Sequence, residues 1–276
     1  MSPASGRVLS GRFFRSELAM VFRRRRNIAL LVILGCVPVL ISVAVKVSGR
    51  HGPGGAIFGS ITDNGLFAAL AAFLVLSPLF LPLVVSVVAG DAVAGEANTG
   101  TLRYLLAVPV GRTRLLAVKF AAVLVWCLVC ALVVAVTGVL AGLALFPSGE
   151  LTLLSGRVVS FGAGLGRLSL VVLYVAVTVV AVGAIGLFVS TVTEVPIAAM
   201  AATLTLTIAS EVADAVPQLA VIHGWLPSHY WLQWVDLFRD PMLTSRIGTG
   251  LWVTLGYVAF FLALAWARFG GKDVTA

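Results

Sequence analysis

Charge is what this sequence has least of. Only 11% of its 276 residues are Asp, Glu, Lys or Arg, against about a quarter in a soluble domain, which excludes an ordinary water-soluble fold. Acids are the scarcer sign, 11 against 19 bases, for a net charge of +8. There are three cysteines, Cys36, Cys127 and Cys130, all inside apolar runs, so no disulfide framework is expected. "WCLVC" at 126–130 imitates a redox CxxC, but a thiol among apolar residues lacks the polar surroundings that activate it. The three histidines, His51, His223 and His229, form no pair at helical spacing, and there is no HExxH and no Cys/His cluster; spacing therefore gives a metal site no support. No GxxxxGK[ST] occurs, and "FGAGLG" at 161–166 lacks the Lys and Ser/Thr of a phosphate loop, so ATP hydrolysis by that route is excluded for this chain alone. Internal repeats and low-complexity tails are not evident.

What the sequence has instead is oil: 60% hydrophobic residues and a mean hydropathy of +1.09. About 20 apolar residues cross a hydrocarbon core. Uncharged runs predict an all-α integral membrane protein, a single domain over 1–276, with six spans at about 28–46, 66–90, 119–145, 168–190, 195–213 and 248–267. The stretch 217–241, with Trp225, Tyr230, Trp231 and Trp234, reads as a re-entrant or interfacial segment, because Trp and Tyr favour the membrane–water boundary. With the N-terminus inside, 13 of the 19 bases fall on the cytoplasmic side and 6 outside. Lys and Arg collect on that side, so both termini are expected in the cytoplasm of a multi-pass cell-membrane protein. The first span has too long an apolar run for a signal peptide and reads as an anchor.

Residues 1–27 precede that anchor as a cytoplasmic interface helix. Leu9, Phe13, Phe14, Leu18, Val21 and Phe22 recur at helical spacing, with Arg7, Arg12, Arg15 and Glu17 filling the remainder. The run Arg23–Arg26 then enters the headgroup layer, each charge worth about 1 kcal/mol near an anionic surface. Pro78 and Pro82 predict a bend in the second span. Gly138 with Gly142, and Gly183 with Gly186, offer small faces for close helix packing, within one subunit or across a dimer.

Between the second and third spans lies "GEANTGTLRYLLAVPVGRTRLLAVK", residues 95–119. Thr99 and Thr101 are helix-start candidates around Gly100. Leu102, Leu105 and Leu106 share one face, and Pro109 and Gly111 stop the helix. A connecting loop needs only a few residues, whereas this block presents an apolar knob on a charged base. It suits docking to another protein or resting on lipid headgroups.

The block resembles the signature of type-2 ABC exporter permeases through Glu96, Gly100, Thr101, Leu102, Leu105, Leu106, Pro109, Arg112, Leu115 and Lys119. "SELAMVFRRRR" is similar to that family's N-terminal interface helix, which on this chain marks Phe13, Phe14, Glu17, Leu18, Arg23 and Arg24. Arg103 departs from the pattern, where the family often has an acid, as does Ala97 at a frequently charged position. The resemblance implies that 99–109 is a cytoplasmic coupling helix seated in a separate ATP-binding subunit. It further implies an exporter of two permeases and two ATPases, with ATP and Mg bound by the partner and no cofactor or nucleic acid in this chain. Glu96 would then orient the coupling segment. The competing readings are an ATP-independent carrier and a membrane assembly factor. A carrier is expected to bury ionisable groups near mid-membrane, and the central thirds of the spans hold none.

One stripe in the fifth span stands out. Thr203, Thr207, Glu211 and Asp214 follow spacings that place them on one helical face. They are expected either to line an exit path at a dimer axis or to be hydroxyls bonded back to their own helix beside water-facing acids.

Overall fold

The computed structural model describes residues 3–48, 60–61, 64–100 and 112–270, with side chains from residue 11 and, after the last gap, from residue 113. Helix α1 (Pro3–Arg23) is followed by α2 (Arg25–Ser48), α3 (Phe67–Leu76), α4 (Phe80–Asn98) and α5 (Arg112–Leu145). Then come α6 (Phe161–Thr178), α7 (Val180–Val192), α8 (Pro196–Ala215), the one-turn α9 (Ala220–His223) and α10 (Thr244–Gly270). Six helices or joined helix pairs are long and apolar enough to cross a membrane, and the protein is an all-α integral membrane protein. A two-residue ribbon, Leu151–Thr152 against Val158–Val159, is a small addition to the all-helical plan.

The breaks follow the chemistry of the chain. Between α3 and α4 sits Pro78, which lacks an N–H for the helical ladder, so the second span bends at residues 77–79. Pro196 opens α8 in its first turn, where the missing donor costs nothing. Between α1 and α2 the chain turns at Arg24, and Asn27 Nδ2 donates back to Val21 O at 2.8 Å. α5 has 34 residues, roughly 51 Å at 1.5 Å each, so it projects beyond the hydrocarbon layer.

The apolar runs sort into a centre and a periphery. In the most apolar 18-residue stretch of α6–α7, 83% of the residues are buried, against 17% for α8 and 11% for α10, so the former forms the middle of the bundle and the latter two its wall. Glycine decides how closely the central helices approach. A Cβ at Gly138 would stand 2.6 Å from Ala69 Cα, and one at Gly142 would enter the backbone of Gly65. One at Gly186 would meet Ala89 Cβ at 2.8 Å. Both small-residue pairs thus pack within the subunit, α5 on α3 and α7 on α4.

The segment 217–241 turns most of its large aromatics inward. Trp231 and Trp234 are buried, Tyr230 nearly so, and only Trp225 of the four lies open. Trp234 meets Phe73 edge-on with centroids 6.2 Å apart, and Phe238 meets Phe67 at 6.5 Å. Tyr174 donates its hydroxyl to Tyr230 O at 2.8 Å, and Arg167 donates to Leu237 O and Arg239 O. The segment is a cap packed on the end of α3 and α6. Large apolar rings with polar handles serve a protein interior as well as a membrane boundary, and sequence alone did not separate the two.

Candidate functional site

At the end of the bundle that carries α1, three helices bring charged groups into the interior. Lys119, in the second turn of α5, places Nζ 2.6 Å from Glu96 Oε1 and 3.3 Å from Glu17 Oε1. All three side chains are at least nine-tenths buried. Glu96 comes from the last turn of α4 and Glu17 from the middle of α1. A buried ammonium without a partner would be neutralised or expelled. Here it is held by charge-assisted bonds from two separate helices.

Glu17 was expected on the polar side of α1. It lies instead in the middle of the buried face, one turn from Phe13 and one from Val21, while Arg12, Arg15 and Arg23 are exposed. Phe13, Phe14 and Leu18 are half-buried beside it. Phe13 packs against the small apolar cluster of Val93, Leu115, Leu116, Leu187, Ala265 and Phe269. Phe22 packs on Trp126 with ring centroids 5.3 Å apart.

A second ionic contact lies about one turn earlier in α4. Asp91 pairs with Arg24 and with Arg26, the latter at 2.9 Å. Gly95, one turn beyond Asp91, leaves the space its carboxylate occupies. A cavity of about 30 Å³, bordered by Glu17, Arg24, Asp91, Glu96 and Lys119, joins the two contacts; it has room for a water molecule.

The same end of α4 is fastened on its other sides. Val93 and Ala94 donate their backbone N–H groups to Ser190 Oγ at 2.9 and 2.8 Å, which ties α4 to the last turn of α7. A Cβ at Gly90 would stand 2.8 Å from Met200 N, so the first turns of α8 lie directly on α4. Trp266 of α10 donates to Thr113 Oγ1 at 3.0 Å. The segment 99–112 therefore emerges from a base joined to α1, α2, α5, α7, α8 and α10.

Of the residues singled out in the 95–119 block, Glu96 and Lys119 are brought together. Thr99 does not start a helix: its hydroxyl donates back to Gly95 O at 3.0 Å, closing α4. Gly100 follows with a φ of 69°, the left-handed conformation that suits glycine after a helix end. Thr101, Leu102, Leu105, Leu106 and Pro109 lie outside the described residues.

The stripe on α8 turns inward. Thr203 and Thr207 are buried and donate their hydroxyls to Ala199 O and Thr203 O one turn back, at 2.8 and 2.9 Å. Thr203 faces Gly186 of α7. These two thus face the body of the subunit. Glu211 is half-buried, and Asp214 accepts from His229 Nδ1 at 2.7 Å. Asp91 was not singled out from the sequence, and Arg26, expected among the headgroups, pairs with it instead. The available signal was Asp91 ending the long uncharged run 64–90, with glycine one helical turn later.

Comparison with known proteins fits this architecture. Residues 20–210 match the family model of ABC-2 family transporter proteins. Over 152 residues the chain is 32% identical to the probable ABC transporter permease protein NosY of Pseudomonas aeruginosa, covering 55% of this chain. The chain spans 51% of the length of that relative. With a matched stretch running from α1 to α8, more than half of its length, the chain belongs to the ABC-2 family of transporter proteins, as a membrane-spanning permease.

Proposed function

We propose that this chain is the transmembrane subunit of an exporter driven by ATP that a separate subunit hydrolyses. In this reading the segment 99–109, with Thr101, Leu102, Leu105, Leu106 and Pro109, docks in the ATP-binding subunit. The Glu17–Lys119–Glu96 cluster then passes its displacement into the bundle. A second permease copy or paralogue completes the transporter, ATP and Mg reside in the partner, and both termini face the cytoplasm of the cell membrane.

The observation that carries the reading is the fastening of both ends of that segment. Glu96 precedes it and Lys119 follows it, and their 2.6 Å bond joins the helices that flank it. A connection that only had to reach from one span to the next would not require a buried charge at its base. The carrier alternative wants ionisable groups at mid-membrane. Among the described residues the buried charged side chains are Glu17, Asp91, Glu96, Lys119 and Asp236, and these lie at the two ends of the bundle.

The test is co-purification of the ATP-binding subunit with the Leu102→Asp, Leu105→Asp double variant. A carboxylate buried in the docking groove without a partner is expected to cost several kcal/mol. The variant should insert in the membrane and lose the ATPase. Undiminished recovery of the ATPase would favour a helix resting on lipid.

A further inference from the structure

At the opposite end of the bundle, three side chains that sequence spacing left unconnected are gathered by the fold. Asp214 lies in the last turn of α8, His223 ends α9, and His229 sits in the turn Ser228–Tyr230. One ligand atom from each falls within 4.8 Å of the others. His229 Nδ1 is 2.7 Å from Asp214 Oδ1, and His223 Nδ1 is 3.9 Å from the same oxygen. The two imidazole rings face each other at 5.9 Å with 32° between their planes.

The other nitrogen of His223 fixes its chemistry. Nε2 lies 3.1 Å from Ala213 O and 3.1 Å from Val216 O. Carbonyl oxygens only accept, so Nε2 carries a hydrogen and Nδ1 is the nitrogen turned toward Asp214. A hydrogen bond accounts for the His229–Asp214 contact. His223 Nδ1 faces the same carboxylate oxygen at 3.9 Å, beyond hydrogen-bonding distance. A ring nitrogen and a carboxylate oxygen held at that separation by a backbone contact on the far side of the ring suit a shared cation.

We propose that Asp214, His223 and His229 form a binding site for a divalent transition-metal ion of the zinc class. Two imidazoles and a carboxylate match the preference of zinc, nickel or copper(II), whereas magnesium and calcium favour oxygen ligands throughout. Metal–ligand bonds of about 2.0–2.2 Å place tetrahedral ligands roughly 3.3–3.5 Å apart. The 2.7 Å edge therefore opens and the 3.9 Å edge closes, each by less than about 1 Å. On binding, the hydrogen on His229 Nδ1 leaves that nitrogen, whose lone pair then ligates the ion. Hydrogen bonds from His223 Nε2–H to two carbonyls are the kind of outer contact that orients a ligating histidine. The three partly exposed residues leave a fourth position for water.

The scaffold around the site is built before any ion arrives. Ser210 Oγ and Ser228 Oγ are 2.7 Å apart, and Tyr230 donates its hydroxyl to Gly224 O at 3.0 Å. A bound ion would clip the segment carrying His223 and His229 to the end of α8.

The experiment uses the full-length chain without a polyhistidine tag, stripped with chelator and reconstituted in lipid nanodiscs. Zinc is titrated by equilibrium dialysis with elemental analysis, and cobalt(II) by visible absorption. One zinc per chain is expected. His223→Gln keeps a donor for the two carbonyls, and His229→Asn keeps a donor for Asp214, while each removes a ligand. Each should weaken zinc binding about tenfold or more, since even outer-contact losses cost about 10–100-fold. His51→Ala, the remaining histidine, should change nothing. Copper(II) bound to the unmutated chain should show nitrogen hyperfine coupling from two imidazoles in its electron spin resonance. The proposal is overturned if the unmutated chain takes up no zinc or shows no such coupling. A monodisperse double variant that binds zinc as the parent does also overturns it.

Discussion

Lys119 and Glu96 stand 23 residues apart in sequence and 2.6 Å apart at their charged ends. Their bond closes the base of everything between α4 and the second turn of α5. The second contact, to Glu17, ties that closed base to α1. One ammonium thus joins the first helix, the second span and the third.

Lys119 should be the costliest of the three to lose. Lys119→Met removes the ammonium that Glu17 and Glu96 share. Removing one partner of a buried ion pair costs about 3–5 kcal/mol. Glu96→Gln leaves Lys119 paired with Glu17 and should cost less. Thermal unfolding of the purified chain in detergent should rank Lys119→Met below Glu96→Gln. The reverse order would mean that the ammonium is not the centre of the cluster.

Asp91 should be more forgiving. Its partners Arg24 and Arg26 keep about two-fifths of their side-chain surface exposed, so water replaces the lost carboxylate. Asp91→Asn is expected to lower stability by about 1 kcal/mol, the upper range for exposed pairs. The difference from the parent should shrink with added salt. A loss as large as that of Lys119→Met, insensitive to salt, would contradict this.

Helix contact in the middle of the bundle rests on glycine. Gly138→Leu should abolish a monodisperse folded chain, since even its Cβ would press on Ala69 Cα at 2.6 Å. Gly162→Ala, with nothing within 4 Å of the added atom, should leave the size-exclusion profile unchanged. Equal behaviour of the two would place the α3–α5 contact elsewhere.

The proposed orientation is checked by cysteine labelling after Cys36, Cys127 and Cys130 are replaced. A cysteine at Ser155 should react with an impermeant thiol reagent in intact cells, and cysteines at Ser2 or Ala276 should not. Labelling at Ala276 would reverse the placement of the last span.

The spans were legible because continuous apolar runs of this length have few other uses. The Pro78 break was legible because proline removes a donor wherever it stands. Glu96 and Lys119 were legible through the motif they close. Glu17 was misplaced because a charged residue in an amphipathic pattern is assigned to the polar face by default. Only the distant Lys119 makes the opposite face stable. The burial of Trp231, Trp234, Thr203 and Thr207 was not legible for a related reason. Whether a polar-tipped side chain meets water, lipid or another helix depends on neighbours far away in sequence. His223 and His229 meet Asp214 only after α8 ends and the chain folds back on itself, which no local spacing reports.

The central claim is that displacement of residues 99–109 reaches the spans through the Glu96–Lys119 base. Its most direct test is a distance measured by spin labels on Val47→Cys and Val221→Cys, both highly exposed and both at the far end of the bundle. The complex with its ATP-binding subunit is trapped with ATP and vanadate, in a background lacking native cysteines. The distance distribution should shift on trapping in the parent. In an assembled Lys119→Met complex that still hydrolyses ATP, it should stay where it was. An equal shift in both would contradict the account.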